Sequence, residues 1–137
     1  MVLLTDMKVL FICRANVGRS QAAMELYNKA GGISDSAGTK VDMPEEKLSE
    51  RAGADTIVAV MHDYGVDMSA NVRVQLTESM SLNYDTLIVM AEPDNIPDWL
   101  RKDPKTEIWS IRDPKGEDFA TTKAIVEQIK QKVATLK

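Results

Sequence analysis

Cysteine, histidine and aromatic residues are scarce in this chain. Its 137 residues include one cysteine, Cys13, and one histidine. A single cysteine excludes an internal disulfide, and with one histidine it leaves little for a zinc site. Nothing in the sequence points to secretion, so a reducing cytoplasm is the expected compartment. No apolar run approaches the roughly 20 residues of a spanning helix, so no membrane association is expected. Met1 to Asp6 is apolar but has neither a basic region nor a cleavage signal, and does not read as a signal peptide. A strongly basic balance is missing too: the formal net charge is −4, which argues against a general nucleic-acid binder. What remains is globular, with 44% apolar and 28% charged residues, enough for one domain over residues 1–137. There is no internal repeat, low-complexity segment or second domain.

Short apolar runs alternate with helical patterns. Lys8 to Ile12 reads as a buried strand. A helix begins near Ser20, with Ala23, Met24 and Tyr27 on its apolar stripe, and Gly31-Gly32 end it. Ile33 to Ala37 is a weaker second strand stopped by Gly38, and 40–50 is a polar loop. Ala54 to Tyr64 has helical spacing, while 72–82 is ambiguous between strand and helix. Tyr84 to Met90 is the clearest buried strand. Pro93 to Lys102 reads as a helix, Glu107 to Ile111 as a fourth strand, and 112–116 as a turn. Asp118 caps a last helix with Ile125, Val126, Ile129 and Val133 on one face. Such alternation implies an α/β fold, a parallel sheet with helices on both faces. Ligands of these sheets sit at the carboxyl ends of the strands.

The chemistry concentrates after the first strand, in Cys13-Arg14-Ala15-Asn16-Val17-Gly18-Arg19-Ser20. A strand-to-helix turn aims backbone N–H groups and a helix dipole at one point, which suits an anion. The same surroundings favour a thiolate, which can attack phosphorus and form a phosphocysteine. Arg19 supplies a planar fork for two phosphoryl oxygens. In the bland alternative, Cys13 is a buried apolar residue and Arg19 an exposed one. An arginine in the first turn of a helix opposes the dipole, however, unless an anion is bound. Gly18 permits a close backbone approach. Ser20 either caps the helix or bonds the Cys13 sulfur. Asp113-Pro114 follows the fourth strand on the same sheet edge, where its carboxyl group can protonate a leaving alkoxide or phenoxide. Asp103-Pro104 precedes that strand and reads as a turn only.

Together these residues resemble the low-molecular-weight protein tyrosine phosphatases, whose fold and signature are shared by thioredoxin-coupled arsenate reductases. Val9 to Leu26 is similar to the signature, Ser36-Ala37-Gly38-Thr39 to the second-strand motif, Tyr84-Asp85 to Met90 to the third-strand segment, and Asp113-Pro114 to the acid loop. The resemblance covers most of the chain. It implies a three-layer α/β/α fold with a four-stranded parallel sheet in the order 2-1-3-4. It implies Cys13 as nucleophile, Arg19 as phosphate clamp and Asp113 as general acid, then base. Backbone amides from Arg14 to Arg19 would surround the phosphoryl oxygens. Asn16, Ser20, Ser36 and Asp85 would support the loop, Asp85 matching a structural aspartate of the family. No metal or cofactor is implied, and the family is usually monomeric.

The chain also departs from the family. Ala15 stands where glycine is usual, and Gly18 where many members carry a second cysteine. Arg14 adds charge beside the nucleophile. Lys115-Gly116 replaces the tyrosines that often flank an aryl ring, and no aromatic residue lies between Thr39 and Asp63. Gln21 is the arsenate-reductase-like choice, and Asn71 sits where a histidine is usual. The leading expectation is a metal-independent phosphomonoesterase acting on a phosphotyrosyl protein or a small aryl phosphate. One alternative is an arsenate reductase that uses an external low-molecular-weight thiol, because the thioredoxin-coupled version needs further cysteines. The other is a non-catalytic phosphate-binding module.

Overall fold

The computed structural model describes residues 7–136; Met1 to Asp6, and with them the leader reading, lie outside the described residues. The sheet has four strands, β1 (Lys8–Cys13), β2 (Ile33–Gly38), β3 (Thr86–Val89) and β4 (Thr106–Ile108). All neighbours are parallel, in the order β2-β1-β3-β4. β1 is central and buried on both faces, as its unbroken apolar run requires. Val9, Phe11 and Cys13 face one way, into a core built with α1 (Arg19–Lys29), α2 (Asp55–Asp63) and α5 (Phe119–Val133). Leu10 and Ile12 face the other way, against Leu76, Ile96 and Leu100 near α3 (Glu78–Ser81) and α4 (Asp98–Lys102). The two-residue strand period thus divides one apolar run between two cores. Phe11 anchors the first, with its ring 5.8 Å from that of Tyr27, edge to face, and 6.0 Å from that of Trp109. Among the described residues no helix is long and apolar enough to cross a membrane.

Several elements differ from the sequence reading, each for a local reason. The expected helix over 93–102 divides into a 3-10 turn, Pro93–Asn95, and α4. Pro97 holds extended backbone at the α4 cap (φ −63°, ψ 150°) and interrupts the helical bonds. The expected fourth strand ends at Ile108 rather than Ile111. Trp109 N–H still donates to Val89 O (2.9 Å), but the Ile111 carbonyl turns to Arg19 instead of a strand. Part of the polar 40–50 loop is ordered as a 3-10 turn, Leu48–Glu50. The last helix starts where expected, with the Asp118 carboxylate accepting from Thr121 N–H (2.8 Å).

Candidate active site

β1 delivers Cys13 to the carboxyl edge of the sheet, and α1 begins at Arg19 with Gly18 as its cap residue and no capping side chain. The loop between them turns at Asn16, whose φ of 55° is left-handed, a region asparagine tolerates better than most residues. Ala15 carries no positive φ, so alanine fits where the related family uses glycine. Asn16 is fully buried and saturated with hydrogen bonds. Its Nδ2 donates to Ser20 Oγ (2.8 Å) and Ser36 Oγ (3.0 Å), and its Oδ1 accepts from Val74 N–H (2.8 Å) and Gln21 Nε2 (3.2 Å). Gly38 explains the close passage of the loop over β2. A Cβ there would lie 2.6 Å from Arg14 O and 2.8 Å from Asn16 N. The backbone N–H groups from Arg14 through Arg19 donate to no acceptor among the described residues. A run of unused donors at a helix N-terminus is the makings of an anion site.

Cys13 and Ser20 meet in this loop, Sγ to Oγ at 3.0 Å. Ser20 lies within α1 and does not cap it, which corrects the capping alternative. Because Asn16 already donates to Ser20 Oγ, the hydroxyl hydrogen is available to the sulfur. Arg19 is 2% exposed. Its Nη1 donates to Met90 O (2.6 Å), Ile111 O (3.0 Å) and Glu92 Oε2 (2.8 Å), and its Nη2 to Glu92 Oε1 (3.1 Å). The other edge of the guanidinium, Nε–H with the second Nη2 hydrogen, donates to no acceptor among the described residues. Burial opposes the charged form, but the Glu92 hydrogen bond and the nearby Cys13 and Asp113 outweigh it and raise the Arg19 pKa. The same bond from Arg19 lowers that of Glu92.

Cys13 and Asp113 line one cavity of about 500 Å³. Asp113 Oδ1 accepts from Lys115 N–H (3.0 Å), which fixes the turn, and its Oδ2 stands 3.8 Å from Arg19 Nη2. The two loops touch at Gly18, where a Cβ would come within 3.0 Å of Pro114 Cγ. Glycine at 18 therefore lets the Asp113-Pro114 turn sit against the loop that follows β1. No aromatic side chain lines the cavity.

Ser36, Asn16 and Ser20 thus converge as the resemblance implied. Asp85 does not join them. Its Oδ2 accepts from Lys8 N–H (2.8 Å) and its own N–H donates to Lys8 O (2.8 Å), at the opposite end of β1. It pins the amino edge of the sheet and is no brace for the loop.

Sequence reasoning missed Arg73, Glu92 and Glu46. Arg73 is fully buried; its Nε donates to Ala15 O (3.1 Å) and its Nη1 pairs with Glu46 and Asp42, both at 2.8 Å. An alternation of apolar Val72, Val74 and Leu76 would by itself turn Arg73 to solvent, yet Arg73 is buried and Val72 is 43% exposed. Acids at 42 and 46 were the available signal. The signal for Glu92 was its place just after β3, on the active edge. Gln21 and Asn71 form a second brace: Gln21 Nε2 donates to Asn16 O and Val72 O, and Asn71 Nδ2 to Gln21 Oε1.

A family model described as low molecular weight phosphotyrosine protein phosphatase matches residues 8–137. The chain is 27% identical over 131 residues to a glutaredoxin arsenate reductase of Synechocystis sp., covering 94% of this chain and 95% of that protein. It superposes on the tyrosine phosphatase amsI of Erwinia amylovora with a TM-score of 0.73 at 26% identity, over 93% of this chain and 91% of that one. A low molecular weight protein tyrosine phosphatase from T. tengcongensis shares the fold, with a TM-score of 0.78, 22% identity, and coverage of 95% and 97%.

Proposed function

This chain belongs to the low molecular weight phosphotyrosine protein phosphatase family, and from that premise we propose that it is a metal-independent phosphomonoesterase. One observation carries the reading. Cys13, the unused N–H groups of its loop, the open edge of Arg19 and the Asp113 carboxyl group share one cavity.

In the first step the Cys13 thiolate attacks phosphorus. An S–P bond forms, the ester P–O bond breaks, and Asp113 gives its proton to the departing oxygen. The loop N–H groups and the free edge of Arg19 hold the equatorial oxygens, where the charge of the transition state is spread. Glu92 and two carbonyls grip the far edge of the guanidinium, so Arg19 is oriented before substrate arrives. In the second step Asp113 takes a proton from water, the water oxygen attacks phosphorus, and Cys13 leaves as thiolate. The Ser20 hydroxyl stabilises that leaving anion.

A second reading is supported by the 27% identical Synechocystis protein, which is named a glutaredoxin arsenate reductase. Here Cys13 attacks arsenate and expels hydroxide. Two equivalents of an external thiol then supply the electrons that take arsenic from the +5 to the +3 state, and end as a disulfide. The test is a pair of assays on one preparation, p-nitrophenyl phosphate hydrolysis in a chelator and arsenate reduction with glutathione. Hydrolysis that depends on Cys13 and exceeds arsenate turnover supports the esterase. Arsenate turnover without hydrolysis overturns it.

A further inference from the structure

The cavity above the loop carries more positive charge than one phosphoryl group uses. Six basic side chains line it against three acidic ones, on a protein whose net charge is −4. Much of that charge is already matched. Arg19 is held by Glu92, and Arg51 and Arg73 share Asp42 and Glu46. Glu117 pairs with Arg112 at 2.9 Å. Arg14, Lys40 and Lys115 have no carboxylate within salt-bridge distance among the described residues. Arg14 and Lys40 are neighbours along the backbone, where Lys40 N–H donates to Arg14 O (2.8 Å), and both line the cavity. Lys115 belongs to the acid loop across the opening. Ala52, Gly53 and Gly116 also line the cavity, and no aromatic ring is among the lining residues to stack on an aryl group.

We propose that Arg14 and Lys40, faced by Lys115, bind a second anionic group of the substrate, which is therefore a phosphomonoester carrying a further carboxylate or phosphate. The proposal rests on the reading that the loop holds the phosphoryl group. Unpaired cations at the rim of a low-dielectric cleft focus their field into it. Such a field draws in an ester with a second anionic group more strongly than one whose aryl group is uncharged.

The test uses the Cys13→Ser protein, so that binding is read without turnover, and two probes, phenyl phosphate and 3-carboxyphenyl phosphate. By calorimetry at low salt the carboxylated ester binds about tenfold tighter, the size of one charge-assisted hydrogen bond. That preference shrinks toward unity when Arg14→Gln and Lys40→Gln are added, and also in high salt. Equal affinity for the two esters overturns the proposal, as does a preference that survives both substitutions. Binding of neither ester removes the anion loop and the proposal together. Phenyl phosphate hydrolysis by the unaltered protein is measured alongside. If it is absent while the affinity ratio holds, the esterase reading fails and the second anion site stands.

Discussion

The tripeptide Asp-Pro-Lys occurs twice in this chain, at 103–105 and at 113–115. The two copies share one local bond, though the backbone turn opens at Asp103 in the first and at Pro114 in the second. In each, aspartate Oδ1 accepts from the lysine N–H two residues on, at 2.9 Å in the first and 3.0 Å in the second. Their surroundings have nothing else in common. The first precedes β4, at the amino edge of the sheet, where Lys105 Nζ donates to the Ser81 and Tyr84 carbonyls. The second follows β4, on the edge where β1 ends in Cys13, and its free oxygen lies 3.8 Å from Arg19. Local residues set that bond, and strand direction decides whether the carboxyl group stands on the edge that holds Cys13.

Paired substitutions break that comparison most sharply. Asp113→Asn keeps the turn acceptor but removes the proton donor. It lowers kcat for esters with poor leaving groups by about a hundredfold or more, and much less for good ones. Asp103→Asn keeps the same turn and leaves both rates unchanged; steady-state kinetics over a leaving-group series reads both. Gly18→Ala has the next largest effect. It forces Pro114 aside by a few tenths of an ångström, and a slightly displaced acid costs several-fold in kcat, short of the about hundredfold loss expected from a 1 Å error. Pro104 makes no such contact with the loop, so the effect has no counterpart at the amino edge.

Asp85→Ala probes the amino edge alone. Losing the bond to Lys8 N–H costs about 1 kcal/mol in a urea titration with kcat untouched. Asp42 gives the smallest effect. The hydrogen bond from Arg73, helped by Arg51 and opposed by partial desolvation, lowers its pKa from 3.8 to about 2. Its contribution to stability is complete above the unfolded value and is lost as pH falls from about 3.8 toward about 2. Asp42→Asn flattens that acid limb slightly in a melting series, because the side chain is exposed and screened.

Much of the fold was legible because β1 and β3 are continuous apolar runs and α5 has one apolar face. The meeting of Cys13, Arg19 and Asp113 in one cavity was legible because each follows a strand or opens a helix on one edge. Ser36 came through its motif. Arg73 was not legible, because its burial depends on Asp42 and Glu46, far away in sequence, and the alternation around it points the wrong way. Asp85 was misplaced by its match to the family pattern, although a residue just ahead of a strand in a parallel sheet belongs to the amino edge, where it meets Lys8. The ends of β4 and α4 depended on Pro97 and on the Arg19–Ile111 contact, which are tertiary effects on short elements.

The proposed hydrolysis passes through a covalent phosphoryl group on Cys13. Rapid acid quench during turnover of p-nitrophenyl phosphate, followed by peptide mass spectrometry, tests it directly. The predicted result is one added phosphoryl group on the peptide containing Cys13, absent from Cys13→Ser. Turnover with the phosphoryl group on another residue, or undiminished in Cys13→Ser, would contradict it.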